Sequence, residues 1–265
     1  MKKIVAAVIF LIILLIFYKF NPTELQKTTE QAQQGHAESQ YNLGVMYKTG
    51  KAVKQNSIKA KSWFEKAAEQ GYAESQYSLG TMYITGEAVE KNSIQAKNWF
   101  EKAAQQGHAA SQYSLGVIYK TGQGVEQDYT KAQYWFEKAA QQGHAEAQYS
   151  LGLIYEKGLG LEQDYTQAKS WYSKAAQQDH ASAQYSLGVM YKNGISVDQN
   201  YMQARSWFEK AAKKVHAKAQ YNLGFMYKNG LGVRQNYDTS KEWFGKACDN
   251  GLQNGCDEYK ELNTR

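Results

Sequence analysis

Apolar side chains recur along this chain at spacings of three and four residues, which is the periodicity of one face of a helix. Between Ala37 and Thr49, the residues Tyr41, Gly44 and Tyr47 fall on such a face. This stretch therefore predicts a first helix, called helix A below. Gly50 follows it at the position where a left-handed residue commonly ends a helix.

A second helix, called helix B below, is predicted after a short loop. Asn56 can accept hydrogen bonds from the free amides at a helix start. The positions that follow form an apolar face at helical spacing, made of Ala60, Trp63, Phe64, Ala67 and Ala68. Gly71 then stands where helix B would end.

The unit of helix A and helix B is repeated six times between residues 37 and 252. The six tryptophans of the chain are spaced 36 residues apart: Trp63, Trp99, Trp135, Trp171, Trp207 and Trp243. One pair of short helices cannot bury both of its faces, so neighbouring pairs must stack and share a core. The sequence therefore predicts an all-α fold, a solenoid of antiparallel helix pairs.

The glycine inside helix A predicts a close contact between helices. Gly44 and its five equivalents each cost about 1 kcal/mol relative to alanine at such a position. We expect the small Ala60 and Ala67 of helix B to receive the large side chains of helix A. We expect Trp63 and Phe64 to reach the next unit.

Some of the turns lack their usual glycine. Ala52, Ala88 and Ser196 occupy the second glycine position of the loop between the helices, and Asp179 and Val215 replace the glycine after helix B. Because glycine adopts left-handed backbone without a steric cost, we expect these turns to be less tightly closed.

Both ends of the repeat array are predicted to carry caps. Residues 21–36 would form a half-repeat in place of a helix B, with Lys27 where the tryptophan would be. Residues 253–265 would form a final helix in which Asp257 and Lys260 replace the tyrosine and the glycine of helix A. Terminal repeats need a polar outer surface of this kind.

The repeat can be compared with a known family through one of its units. That unit contains Ala145-Glu146-Ala147-Gln148-Tyr149-Ser150-Leu151-Gly152, Gly158-Leu159-Gly160-Leu161-Glu162-Gln163-Asp164-Tyr165, Ala168, Trp171-Tyr172 and Lys174-Ala175-Ala176. It resembles the Sel1-like repeat, a relative of the tetratricopeptide repeat, and the resemblance covers residues 37–252. The resemblance implies a right-handed superhelix of antiparallel helix pairs that acts as an adaptor or scaffold, with helix A on the concave side.

The first twenty residues have the pattern of a membrane-targeting segment. Lys2 and Lys3 precede an apolar run from Ile4 to Phe17 that Tyr18, Lys19 and Phe20 extend. The segment from Ile4 to Phe20 is at the short end for a transmembrane helix. The run ends without the small residues that precede a cleavage site and without a cysteine for lipidation, so we expect an uncleaved anchor. The positive-inside rule then places the rest of the chain in the periplasm of a bacterium with two membranes, single-pass in the inner membrane. If the segment is cleaved, the protein is periplasmic or secreted.

The charge of the chain argues against nucleic-acid binding. The net charge is +6, and it falls to +3, or 28 basic against 25 acidic residues, without the three lysines of residues 1–20. A nucleic-acid surface would need clustered basic residues along one face. We interpret the densest basic run as a solvated helix end, with contact to an acidic partner as the alternative: Lys210, Lys213, Lys214 and Lys218.

The two cysteines are predicted to form a disulfide. Cys248 and Cys256 lie on either side of the turn at Gly251, where adjacent antiparallel helices can bring them together. An exported protein meets oxidising conditions. The cysteine-rich branch of the Sel1-like family is similar, since it bridges cysteines at this spacing.

Five histidines share one repeat position: His36, His108, His144, His180 and His216. Single imidazoles on successive helix pairs are poorly placed to reach one ion at the short distance that metal ligation needs. We therefore predict that they pack at the turns, and no metal or cofactor is predicted.

One triplet is known from penicillin-recognising enzymes, and cysteine-rich relatives of the repeat have been associated with β-lactam binding or hydrolysis. The triplet occurs as Lys48-Thr49-Gly50 and as Lys120-Thr121-Gly122. No serine in the chain is followed three residues later by lysine, so the nucleophile and its base are missing. We predict that the protein is not an enzyme, with β-lactamase-like activity as the alternative.

What remains is a surface on helix A, where a constant tyrosine is followed by a varying residue. These candidate binding residues are Tyr41, Val45, Tyr77, Thr81, Tyr113, Val117, Tyr149, Leu153, Tyr185, Val189, Tyr221 and Phe225. A shared aromatic floor with variable neighbours suits a selective groove. Alternatively, the tyrosines belong to the core and only the varying residues meet solvent.

The leading functional hypothesis is a membrane-anchored scaffold that presents this surface to protein or peptide partners in the bacterial envelope. Aromatic residues alternating with lysine and glutamate also suit the glycan strands of peptidoglycan, which is the second hypothesis.

Overall fold

The computed structural model describes residues 22–264, and the helices in this range follow the predicted repeat. The described residues form fourteen α-helices and no β-strands: α1 Pro22–Gln33, α2 Ala37–Thr49, α3 Ser57–Glu69, α4 Ala73–Thr85, α5 Ser93–Gln105, α6 Ala109–Thr121, α7 Tyr129–Gln141, α8 Ala145–Lys157, α9 Tyr165–Gln177, α10 Ala181–Asn193, α11 Tyr201–Lys213, α12 Ala217–Asn229, α13 Tyr237–Asp249 and α14 Gln253–Asn263. The even-numbered helices from α2 to α12 are the A helices, and the odd-numbered helices from α3 to α13 are the B helices. The prediction of an all-helical solenoid fold is confirmed.

The signals that start and end the helices act as predicted. Gly50 ends α2 with a left-handed backbone, at φ 74°. The side chain of Asn56 caps α3 by accepting a hydrogen bond from the amide of Lys59 at 2.9 Å. The five equivalent caps accept hydrogen bonds in the same way at the other B helices: Asn92, Asp128, Asp164, Asn200 and Asn236.

The core lies between the helices of one repeat and the first helix of the next. Phe64 is fully buried, and a Cβ atom added to Gly44 would lie only 2.6 Å from its Cε1 atom. Phe64 also belongs to one apolar cluster with Leu79 and Met82 of the following A helix. The close contact predicted from the helix A glycine is therefore confirmed, and so is the reach of Phe64 into the next repeat.

The tryptophan of helix B points in the other direction. Trp99 packs against the cluster that holds Phe64 of the preceding B helix. Trp207 and Trp243 pack in the same way against the clusters formed with the B helices before them. We expected this side chain to reach the next unit, and the structure instead places it against the cluster that the preceding helix B forms with the helix A of the tryptophan's own repeat.

The turns without glycine are as tightly closed as the others. Ala52, Ala88, Asp179, Ser196 and Val215 all have positive φ values, between 55° and 76°. The turn at Val215 also keeps its closing hydrogen bond, from the amide of His216 to the carbonyl oxygen of Ala211. The expectation of looser turns was wrong, because packing of the repeats imposes the left-handed backbone even on residues for which it costs about 1–2 kcal/mol.

The helices fall into two compact units. Among the described residues, the first contains residues 22–118 together with Gly122–Glu126, and the second contains Tyr119–Thr121 and residues 127–264. In the first unit α1 packs against α2, and in the second unit α14 packs against α13.

The expected membrane segment, residues 4–20, lies outside the described residues. Within residues 22–264, no helix combines the length and the apolar character that crossing a membrane requires.

Candidate functional site

The constant tyrosine of helix A is half-buried in all six repeats, and it packs against other rings in both units. In the first unit, the ring centroid of Tyr77 lies 5.7 Å from that of Phe100 and 5.0 Å from that of His108. In the second unit, Tyr185 lies 5.8 Å from Phe208 and 4.7 Å from His216. The tyrosines are thus neither wholly core nor freely exposed. They form a rigid aromatic floor that is partly open to solvent.

The varying residue lies one helical turn after each tyrosine and is also partly accessible. Phe225 is the most open of the six, with 37% of its surface exposed, whereas the other five are half-buried. We call the twelve residues the helix A surface, and six of them lie in each unit. The floor is constant, so any selectivity of this surface depends on the varying residues.

In the first unit, part of the helix A surface forms a cavity of about 290 Å³. It is lined by four candidate residues: Tyr77, Thr81, Tyr113 and Val117. Ile84 and Phe100 add further apolar wall. Pockets for whole small ligands usually measure about 300–1,000 Å³. A cavity just below that range suits one apolar side chain of a bound peptide.

In five of the six repeats a charged residue follows the varying position by one further turn of helix A. In the second unit, Nζ of Lys192 donates a hydrogen bond to Oδ1 of Asn222 at 3.0 Å, and burial lowers the pKa of Lys192. Nζ of Lys228 lies 2.6 Å from a carboxylate oxygen of Glu258, and this hydrogen bond raises the pKa of Lys228. The helix A surface is therefore bordered by charges whose environments differ from repeat to repeat.

Sequence reasoning missed one polar contact beneath this surface. Tyr172 is fully buried, and its hydroxyl donates a hydrogen bond to the carboxylate of Glu156. Burial, and then Glu156, raise the pKa of Tyr172. The signal was present in the sequence, because Tyr172 replaces the phenylalanine of the other repeats in the same unit in which Glu156 stands at the position of Lys192.

Four of the five repeated histidines cap helix A with their side chains, whereas His36 makes no such hydrogen bond. Nδ1 of His180 accepts a hydrogen bond from the amide of Ala183 at 3.2 Å, and its ring stacks on Tyr149 at 4.7 Å. Burial lowers the pKa of His180 and of His216. The prediction of a turn-packing role is confirmed at these positions. Within residues 22–264, no group of three metal-ligating side chains comes together.

A buried glutamine near the start of helix A links neighbouring repeats. Nε2 of Gln148 donates to the carbonyl oxygen of Ala140, and its Oε1 accepts a hydrogen bond from Nε2 of Gln178 at 2.8 Å. The first unit repeats the arrangement, for example at Gln76 with Ala68 and Gln106. We call this series the glutamine ladder. Sequence reasoning gave these glutamines no role, although their strict repetition was visible.

The two cysteines of the disulfide occupy repeat positions that belong to the glutamine ladder in the other repeats. The sulfurs of Cys248 and Cys256 are bonded, as predicted, and their Cα atoms are 4.6 Å apart. Cys256 occupies the ladder position of Gln220, and Cys248 occupies that of Ala212. A covalent bond at the last repeat therefore replaces the hydrogen bond that the preceding repeat makes between Gln220 and Ala212.

The triplet shared with penicillin-recognising enzymes lies at the end of a helix in both of its copies. Lys48 and Thr49 are the last residues of α2, and Lys120 and Thr121 are the last residues of α6. In those enzymes the triplet lies on a strand beside a serine nucleophile. The sequence match therefore carries no catalytic arrangement here.

Comparison with known proteins supports the resemblance noted in the sequence. The Sel1 repeat model matches six consecutive segments: residues 37–72, 73–108, 109–144, 145–180, 181–216 and 217–252. None of the curated proteins is significantly similar to the chain.

Two solved structures are similar over most of the chain. One is a protective antigen of uropathogenic Escherichia coli with an SLR fold, which is 37% identical over 87% of this chain, with a TM-score of 0.84. The chain spans only 50% of the length of that structure. The other is a Sel1 repeat protein from Oxalobacter formigenes, 31% identical over 85% of this chain and 94% of its own, with a TM-score of 0.74.

Proposed function

Because the chain belongs to the Sel1 repeat family, whose members generally act as protein-interaction scaffolds, we propose that it binds peptide segments of partner proteins along its helix A surface. The observation that carries the proposal is the cavity in the first unit. Four of the predicted binding residues line it, and its volume of about 290 Å³ can hold an apolar side chain.

The rigidity of the aromatic floor favours this function. Four of the floor tyrosines pack against a phenylalanine of their own repeat, as Tyr41 does against Phe64 at 5.7 Å, and Tyr149 packs in the same way against Tyr172 at 5.6 Å. A surface that is ordered before binding loses little conformational entropy when a peptide docks. The varying residues beside the floor can then select among peptides by shape and polarity.

A peptide partner is favoured over glycan strands of peptidoglycan. Carbohydrate rings bind aromatic side chains by stacking on their faces. The ring of Tyr77, however, already contacts the rings of Phe100 and His108. Peptide side chains can instead enter the cavity between neighbouring tyrosines, which leaves these ring contacts in place.

The proposal includes attachment to the bacterial inner membrane through residues 4–20, with the repeats in the periplasm. The basis is the apolar run itself and the two lysines before it. The disulfide between Cys248 and Cys256 agrees with an oxidising compartment. Protease treatment of spheroplasts tests this part: the repeats should be degraded if they are periplasmic and protected if they are cytoplasmic.

The binding function is tested by co-purification of partners with the full chain from solubilised membranes. Val117→Asp places a charge in the cavity and should abolish recovery of the partners that the unchanged chain recovers. Asn98→Asp adds the same charge at an exposed position of α5 and should leave them unchanged. Equal recovery with both variants would refute the helix A surface as the binding site. Turnover of nitrocefin by the purified protein would overturn the non-enzymatic assignment.

A further inference from the structure

One step of the glutamine ladder in the second unit lacks its donor. In four repeats the ladder oxygen accepts a hydrogen bond from the residue 30 positions later, as Gln220 does from Asn250 at 3.0 Å. For Gln184 that residue is Lys214, and Nζ of Lys214 lies instead 3.8 Å from a carboxylate oxygen of Asp179. The regular pattern is therefore broken at the junction of α10 and α11.

The break leaves a buried acceptor without a hydrogen bond. Gln184 is only 1% exposed, and its Nε2 donates to Ala176 and to Asp179, each at 3.2 Å. Its Oε1 has no donor among residues 22–264. An unsatisfied buried carbonyl oxygen destabilises the folded chain. A hydrogen-bond donor from a bound molecule would remove this destabilisation.

Gln184 lies at the wall of a cavity of about 490 Å³ with a basic lining. Three lysines and one carboxylate line it: Lys210, Lys213, Lys214 and Asp179. The ammonium group of Lys210 is held 4.1 Å from the ring centroid of Trp207, which is also part of the lining. The cavity thus combines an excess of positive charge with one buried acceptor and one aromatic wall.

We propose that this cavity binds an acidic peptide segment of a partner protein. Carboxylate side chains of the segment would pair with Lys210, Lys213 and Lys214, and a main-chain N–H would donate to Oε1 of Gln184. A peptide supplies both groups, whereas a simple anion supplies acceptors alone. None of these residues belongs to the helix A surface, so this is a second site that stands independently of the proposed function.

The repeats that keep the ladder hydrogen bond suggest a variant that should prevent the peptide from binding. In Lys214→Gln, the new side chain can donate to Gln184 as Gln178 donates to Gln148 at 2.8 Å. The variant therefore removes one positive charge and satisfies the acceptor at once. Lys218→Gln makes the same charge change at an exposed residue outside the cavity and serves as the matched control.

The test measures binding of a fluorescein-labelled hexaglutamate peptide to the full chain by fluorescence anisotropy. Lys214→Gln should weaken binding by about tenfold or more, and Lys218→Gln by less than about twofold. Thermal unfolding without peptide checks that both variants fold, and Lys214→Gln should melt at a higher temperature than the unchanged chain. If it does not fold, Lys213→Gln at the cavity rim takes its place, with the same direction of effect.

Three results would overturn the proposal. Absence of hexaglutamate binding would remove the site. Equal weakening by Lys214→Gln and Lys218→Gln would mean that the peptide responds to overall charge. Displacement of the peptide by inorganic phosphate at a concentration at which the same amount of chloride has no effect would mean that the cavity selects a small anion.

Discussion

Gly80 of α4 lies directly against Phe100 of α5, so that a Cβ atom on Gly80 would be 2.5 Å from Cε1 of the ring. Real Cβ atoms do not approach another carbon so closely, and Phe100 is almost fully buried. The glycine and the aromatic ring therefore define one contact, repeated along the chain, that sets how closely helix A and helix B approach.

Replacing this glycine should destabilise the fold although alanine is the better helix former. Gly80→Ala gains about 1 kcal/mol of helix propensity but forces the buried ring to move, and overpacking typically costs about 1–3 kcal/mol. We expect a lower midpoint in urea unfolding. Phe100→Leu in the same chain should recover part of the loss. An additive double variant would show that the two residues are not coupled.

At the left-handed turn of Val215, in contrast, a change to glycine should stabilise the fold. Val215 has φ 61° and is 59% exposed, so its side chain gains little from packing. Val215→Gly should stabilise the chain by about 1 kcal/mol, because glycine adopts this backbone without steric cost. Gly143→Val, the reverse change at the equivalent turn, should destabilise it. A loss of thermal stability in Val215→Gly would contradict the assignment of strain to this residue.

The histidine caps should make the second unit sensitive to mild acid. Burial lowers the pKa of His144, His180 and His216 below the ordinary value of 6.5, against a smaller opposing effect of Glu146 on the first two. As the pH falls below about 6.5, the unfolded chain takes up protons that the folded chain resists, so the stability present at neutral pH is lost.

Urea unfolding at about pH 7.5 and about pH 5.5 measures this effect, since carboxylates change little in that interval. His180→Asn keeps a capping side chain that does not titrate, and it should reduce the difference between the two pH values. An unchanged difference in this variant would exclude His180 as a contributor.

The disulfide should stabilise the last repeat by about 2.5 kcal/mol, the value for closing so short a loop. Cys248→Ala with Cys256→Ala should lose that amount in urea unfolding. Cys248→Ala with Cys256→Gln restores the residue pair of the preceding ladder step, Ala212 and Gln220, and should recover about 1 kcal/mol. Equal stability of the two double variants would show that this position does not accept the ladder hydrogen bond.

The period of the sequence was sufficient to predict the helices, their caps and the contact at Gly44, because these depend on residues close in the chain and repeated six times. The direction of Trp99 was not predictable in this way, since a period relates equivalent positions but does not say whether a side chain packs forward or backward. The turns at Asp179 and Val215 were misjudged because local backbone preference was weighed above the packing that overrides it.

The residues of the helix A surface could be predicted from the sequence, but the cavity that some of them line could not. Helical spacing placed Tyr77 and Thr81 on one face, but the cavity they share with Val117 depends on the separation of two helices that are distant in sequence. The orphaned oxygen of Gln184 was equally out of reach. That oxygen has no donor because Lys214 lies next to the carboxylate of Asp179 instead. The basic run in the sequence did not reveal this pairing.

The most direct test of the scaffold function asks where a bound partner lies. A photo-crosslinking amino acid is placed at Thr81 in the cavity, at Phe225 on the helix A surface of the second unit, and at the exposed Asn98 of α5, each in the full chain in its native cells. The account predicts that partner proteins are crosslinked from Thr81 or Phe225 and not from Asn98. Adducts from Asn98 alone, with none from the helix A surface, would contradict it.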